Sequence, residues 1–127
     1  MADAVVDSSA VLADFNGEPG GDAVRAISGS AFISAVNFTE VISKLIEWGF
    51  SPEEARLAAE GAEYKIAVAD QPRAAAAGML HAVTRGKGVS LGDRFCLALA
   101  AELELAVLTA DRRWTTLDIG VEVTLIR

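Results

Sequence analysis

Apolar side chains follow two rhythms along this chain: runs of two to five residues, and longer stretches where they return every three or four positions. Val5 and Val6, closed by Asp7, predict a short buried strand. SSAVLADF then reads as a helix up to the turn signal NGEPGG. DAVRAIS predicts a second helix and AFISA a second strand. Val36, Phe38, Val41, Ile42, Leu45, Ile46 and Trp48 recur at helical spacing until Gly49 stops the pattern. SPEEARLAAEGAEY has Ser51 as cap, Pro52 at the first helical position and Glu54 completing a capping box. KIAVA, 65–69, predicts a strand, and after the Gln71-Pro72 turn an alanine-rich helix runs to Gly86. Ser90 opens SLGDRFCLALAAELE, where Leu91, Phe95, Ala98, Leu99 and Leu103 share a face. AVLTA, 106–110, predicts a strand, DRRWTTLD a short helix or turn, and VEVTLI, 121–126, the last strand.

Short strands alternating with helices imply an α/β fold, a mostly parallel sheet covered by helices on both faces. No internal repeat or linker interrupts the 127 residues, so the expectation is a single domain, 1–127. A composition 52% hydrophobic and 23% charged is that of a compact globular chain. The start MADAVVD has no basic segment before an apolar core, and no stretch approaches the roughly 18 apolar residues a membrane span needs. These features predict a cytoplasmic protein.

Candidate chemistry is narrowed by what is scarce. Cys96 is the only cysteine and His81 the only histidine, which excludes an intramolecular disulfide and a zinc site of several Cys or His ligands. Metal chemistry would have to use carboxylates, which favours Mg²⁺ or Mn²⁺. In a parallel sheet Asp7 and Asp111, each following a strand, would lie at the same carboxyl edge, where ligands bind in such sheets. Asp93, in the first turn of its helix, and Glu40, one turn into another, would project near that edge, where helix N-termini stabilise anions.

Taken singly, each acid also has an ordinary structural role. Asp7 and Asp111 can cap helices, Asp93 completes a Ser-x-x-Asp cap with Ser90, and Glu40 has Lys44 four residues on as a surface partner. The net charge of −7 argues at first against a nucleic-acid ligand. Basic residues are nonetheless uneven, with Arg85, Lys87 and Arg94 close together and Arg112 and Arg113 adjacent.

Four segments in order, VVDSSAVLA with its following GEPG, SAVNFTEV, SLGDRFCLALA and VLTADRRW, resemble the PIN-domain family, specifically VapC-type toxin ribonucleases of toxin-antitoxin pairs. The resemblance spans residues 5 to 114. It implies a three-layer α/β/α sandwich in which Asp7, Glu40, Asp93 and Asp111 converge on one or two Mg²⁺ or Mn²⁺ ions and hydrolyse RNA. Thr109 would order the pocket or a metal-bound water, with Ser8 and Asn37 supporting the ligands from behind. Lys87, Arg94, Arg112 and Arg113 are candidates to hold the RNA backbone. The resemblance also implies a cognate antitoxin protein and a homodimer or toxin-antitoxin hetero-oligomer. Two other classes of protein share part of this pattern. A haloacid-dehalogenase-type phosphotransferase needs a second aspartate where Ser9 stands. A non-catalytic binding module would use the acids only as caps and surface charges.

Overall fold

The computed structural model describes residues 3–127. Five parallel strands form one sheet in the order β3-β2-β1-β4-β5, built from β1 (Val5–Val6), β2 (Phe32–Ser34), β3 (Lys65–Ala67), β4 (Val107–Thr109) and β5 (Val123–Leu125). The expected "mostly parallel" sheet is parallel at every pairing. The strands are shorter than the apolar runs that predict them, since the outer residues of AVLTA and VEVTLI extend beyond the ladder.

Strand periodicity of two divides the core. Val5, Phe32 and Val107 are in register and face one layer, while Val6, Ile33 and Leu108 face the other. The Val6 side is covered by α1 (Ser8–Phe15), α2 (Gly21–Ile27), α3 (Ala35–Glu47) and α4 (Pro52–Gly61). The Val5 side is covered by α7 (Leu91–Leu103), with Trp114 from a 3₁₀ turn at Arg112–Thr116. Against α7 lies α5 (Gln71–Met79), followed by the single turn α6 (His81–Thr84). These layers are the α/β/α sandwich. Val5, Val6, Ile33 and Val107 have no exposed surface, the burial on both faces that central parallel strands require.

Two expectations are corrected between Asp70 and Gly86. Gln71 and Pro72 are not a turn but the first helical residues of α5, because Asp70 caps it by accepting the Arg73 N–H at 3.1 Å. The alanine-rich helix is also interrupted at Leu80. Its carbonyl accepts the backbone N–H groups of Val83 and Thr84 and the Thr84 hydroxyl at 2.8 Å, an overloaded acceptor that bends a helix. The capping box of Ser51 and Glu54 forms as the spacing predicts. It lies far from the catalytic candidates, so Ser51→Ala should lower stability by about 1 kcal/mol and leave activity unchanged, measured by urea unfolding beside an activity assay.

Candidate metal and phosphodiester site

The carboxyl edge of the sheet opens into a cleft of about 620 Å³ whose walls include Asp7, Glu40, Asp93 and Asp111. Strand β1 ends at Asp7, and α1 starts one residue later. Asp7 is therefore the N-cap, with Oδ1 accepting the Ala10 N–H at 3.0 Å and the Ser9 hydroxyl at 2.7 Å. Its Oδ2 accepts the Thr109 hydroxyl at 2.8 Å. Asp7 is only 4% exposed, and burial pushes its carboxyl up to about 6 against the opposing pull of these three donors, with Asp93 adding a small upward push.

Thr109 links two acids. It is wholly buried at the end of β4, and its hydroxyl donates to Asp7 while the same oxygen accepts the Asp111 N–H at 3.0 Å. Ser9 completes the link, its oxygen accepting the Ala110 N–H at 3.0 Å while its hydroxyl donates to Asp7. In the sequence Ser9 stands where a phosphotransferase of the haloacid-dehalogenase type needs its second aspartate. Its spacing two residues from Asp7 was the available signal, since a hydroxyl there can bond back to the carboxylate.

Glu40 rises from the first turns of α3 and is exposed. Its Oε1 accepts the Ser8 hydroxyl at 2.6 Å and the Asn37 side-chain amide at 2.9 Å. That amide also donates to the Gly92 carbonyl at 3.0 Å, tying α3 to the start of α7. Ser8 and Asn37 thus position Glu40 rather than Asp7. Gly92 has a role of its own, because a Cβ there would fall on the Glu40 carboxylate. An otherwise unfavourable helix residue next to Asp93 is what lets Glu40 into the cleft.

Asp93 is half-buried in the first turn of α7, where Ser90 and Asp93 form a full capping box. Its Oδ2 accepts the Ser90 N–H at 2.9 Å. Burial raises its pKa, Ser90 opposes that rise, and repulsion from Glu40 and Asp111 adds to it. Ser90→Ala removes the same kind of cap as Ser51→Ala and should cost a similar 1 kcal/mol or about that. The substitution removes only the hydroxyl that accepts the Asp93 backbone N–H; the Ser90 N–H that the Asp93 carboxylate accepts belongs to the backbone, so urea unfolding should register the loss while the carboxylate keeps its orienting partner.

Asp111 caps the 3₁₀ turn and meets Arg113 three times. Oδ1 accepts the Arg113 backbone N–H and Nε at 3.0 Å each, and Oδ2 accepts Nη2 at 2.7 Å. That guanidinium holds the Asp111 carboxyl below the usual carboxylate range.

Of the candidate RNA-binding residues, only Arg113 lines the cleft. Lys87 is exposed on the loop beside Gly88. Arg94 turns inward and donates to the Ala77 carbonyl at 3.2 Å, and Arg112 donates to the Arg127 carbonyl at 2.9 Å. Lys44, expected to pair with Glu40, instead lies 3.4 Å from Glu47 and lines the cleft. Cys96 is fully buried, with its thiol pushed well up by that burial.

The donor set fits a hard divalent cation in chemistry, since it is all oxygen and carries repulsion that a cation would relieve. Among the described residues, no three or more acids converge closely enough to ligate one ion as they stand. Each is held by a protein donor instead: Asp7 by Thr109 and Ser9, Glu40 by Ser8 and Asn37, Asp93 by Ser90, and Asp111 by Arg113.

No curated protein matches the chain in sequence. Its fold is similar to that of a DNA-bound VapBC from Salmonella typhimurium, with a TM-score of 0.76, 19% identity and 100% of both chains covered. It is likewise similar to a toxin-antitoxin complex from Klebsiella pneumoniae, at TM-score 0.75, 20% identity and 98% of both chains. VapBC-5 from Mycobacterium tuberculosis matches at TM-score 0.59 and 20% identity, over 100% of this chain and 99% of that one. The PIN domain model matches residues 4–120, nearly the whole of the sandwich and all four acids. The chain belongs to the PIN-domain family.

Proposed function

We propose that this protein is a Mg²⁺- or Mn²⁺-dependent ribonuclease, the toxin of a toxin-antitoxin pair acting in the cytoplasm. The observation that carries the reading is that four carboxylates from four separate elements line one cleft at the carboxyl edge of the sheet. Caps alone do not require this, since the Ser51 cap forms elsewhere in the fold with no such gathering.

Asp7, Glu40, Asp93 and Asp111 are the residues that would hold the cation. A cation held by these carboxylates would lower the pKa of a water and offset charge on the phosphate oxygens. The remaining work belongs to the protein. Thr109 and Ser9 keep Asp7 and Asp111 aligned across two strands. Ser8 and Asn37 fix Glu40, and Ser90 fixes Asp93. Arg113 and Lys44 supply the positive charge on the cleft wall that an RNA backbone needs. The open cleft suits single-stranded or looped RNA, whose backbone can be drawn in.

An antitoxin partner fits the outer surface of α3, α4 and the loop that joins them. Ile46, Trp48, Phe50 and Leu57 are 37–56% exposed there, an apolar strip suited to an amphipathic segment. A basic side chain from that segment would reach the acidic cleft, giving a toxin-antitoxin complex such as the one solved from Klebsiella pneumoniae.

The test is incubation of a total RNA pool with wild type, Asp7→Asn and Asp93→Asn in Mg²⁺ or Mn²⁺. Wild type should release fragments with 5′-phosphate and 3′-hydroxyl ends, and both variants should be inactive. Equal cleavage by all three, or none with any metal, overturns the reading.

A further inference from the structure

We propose that Arg113 exchanges partners during the reaction cycle, leaving Asp111 for an RNA phosphate and so freeing Asp111 for the cation. This inference rests on the ribonuclease reading and adds to it an order of events. Both oxygens of Asp111 are engaged by one residue, with Nε on Oδ1 and Nη2 on Oδ2. Oδ1 also accepts the Arg113 backbone N–H, so only Oδ2 keeps a free lone pair, and a cation placed on it would sit against the guanidinium. The Asp111–Arg113 fork and a metal–Asp111 bond therefore compete.

Arg113 is suited to the exchange by its setting. Its side chain is 66% exposed, so it leaves Asp111 without unpacking the core. The guanidinium rests along Gly88, where the backbone is in the left-handed region at φ +71° and a Cβ would meet Nη1. This seat places the fork on the cleft wall, facing the space a substrate would enter. Guanidinium binds phosphate with the same two-point geometry it uses for carboxylate. The backbone N–H bond from Arg113 to Asp111 does not involve the fork. It can persist through the exchange and keep Asp111 in place.

The consequence is that metal and RNA should bind with positive coupling, because each draws apart the same ion pair. Arg113 should then oppose metal binding in free protein and support RNA binding. If it merely orients Asp111 as a ligand, both effects would be favourable and its removal would weaken metal binding.

Calorimetric Mn²⁺ titration of the RNA-free full chain separates these cases. Arg113→Ala should bind Mn²⁺ about twofold to fivefold more tightly than wild type, the worth of one exposed ion pair. Arg113→Lys keeps the charge but loses the fork, and should shift in the same direction by less. In an Asp111→Asn background, Arg113→Ala should change Mn²⁺ affinity less than it does in the wild type. For RNA, binding of a single-stranded oligonucleotide in EDTA should weaken in Arg113→Ala, with a salt slope lower by about one.

Unchanged or weaker Mn²⁺ binding in Arg113→Ala overturns the exchange while leaving the metal site standing. So does equal tightening with and without the Asp111 carboxylate, which would be general repulsion. Unchanged oligonucleotide binding removes the phosphate half. If wild type binds no Mn²⁺ at all, the metal reading falls and the exchange with it.

Discussion

Asp7→Asn should abolish RNA cleavage and at the same time make the metal-free protein more stable. The activity loss follows from removing a charged ligand; electrostatic stabilisation by a bound metal is worth several kcal/mol, so about 10³-fold or more is expected. The stability gain follows from burial. With its carboxyl raised to about 6, ionised Asp7 carries a cost at neutral pH of about 3 kcal/mol. Asparagine caps helices as well as aspartate, so the Ala10 bond survives. The Thr109 hydroxyl, which donates to Asp7, would lose its acceptor and reduce the gain. A net stabilisation of about 1–3 kcal/mol remains.

The pH dependence has a definite sign. A folded carboxyl raised above its unfolded value contributes stability fully at pH values below the unfolded pKa, and loses it as pH rises through about 6. In EDTA, wild type and Asp7→Asn should therefore be alike near pH 4, with the variant pulling ahead as pH reaches 7. Urea unfolding of both proteins across that range measures it. A variant less stable than wild type at pH 7 would mean that Asp7 is a structural cap first.

Gly92→Ala should damage catalysis with little loss of stability. Alanine suits a helix better than glycine by up to about 1 kcal/mol, so the helix itself gains. The new methyl group, however, occupies the space of the Glu40 carboxylate. Because Glu40 is exposed and flexible, it swings away cheaply, losing its bonds to Ser8 and Asn37. Displacing a ligand in this way should lower cleavage about 10- to 100-fold. Glu40→Asp, shorter by one methylene, should partly rescue Gly92→Ala. A double variant more active than the product of the two single effects would identify the clash as the cause, and wild-type activity in Gly92→Ala would show that Glu40 needs no such place.

Much of this site is legible in the sequence because its signals are local. A strand end followed by Asp-Ser-Ser, a Ser-x-x-Asp cap and a strand end at Thr-x-Asp each report a backbone geometry set by neighbouring residues. The parallel sheet then carries those ends to one edge. What stays hidden depends on distant contacts. Arg94 reaches the Ala77 carbonyl on another helix and Arg112 the carbonyl of Arg127, so their nearness in sequence to the acids did not place them in the cleft. The interruption at Leu80 has a local source, the Thr84 hydroxyl four residues on, and is masked by the alanine-rich run before it. Gly92 is an unfavourable residue for a helix start, but its meaning needs the position of Glu40.

The most direct test of the central claim is RNA cleavage by protein first stripped with EDTA and then given Mn²⁺ in steps. Cleavage should be absent without metal, rise with Mn²⁺ in the wild type, and stay absent at every concentration in Asp7→Asn and Asp93→Asn. Cleavage that persists in EDTA, or that survives in those variants at saturating Mn²⁺, would contradict a carboxylate-held metal as the source of the activity.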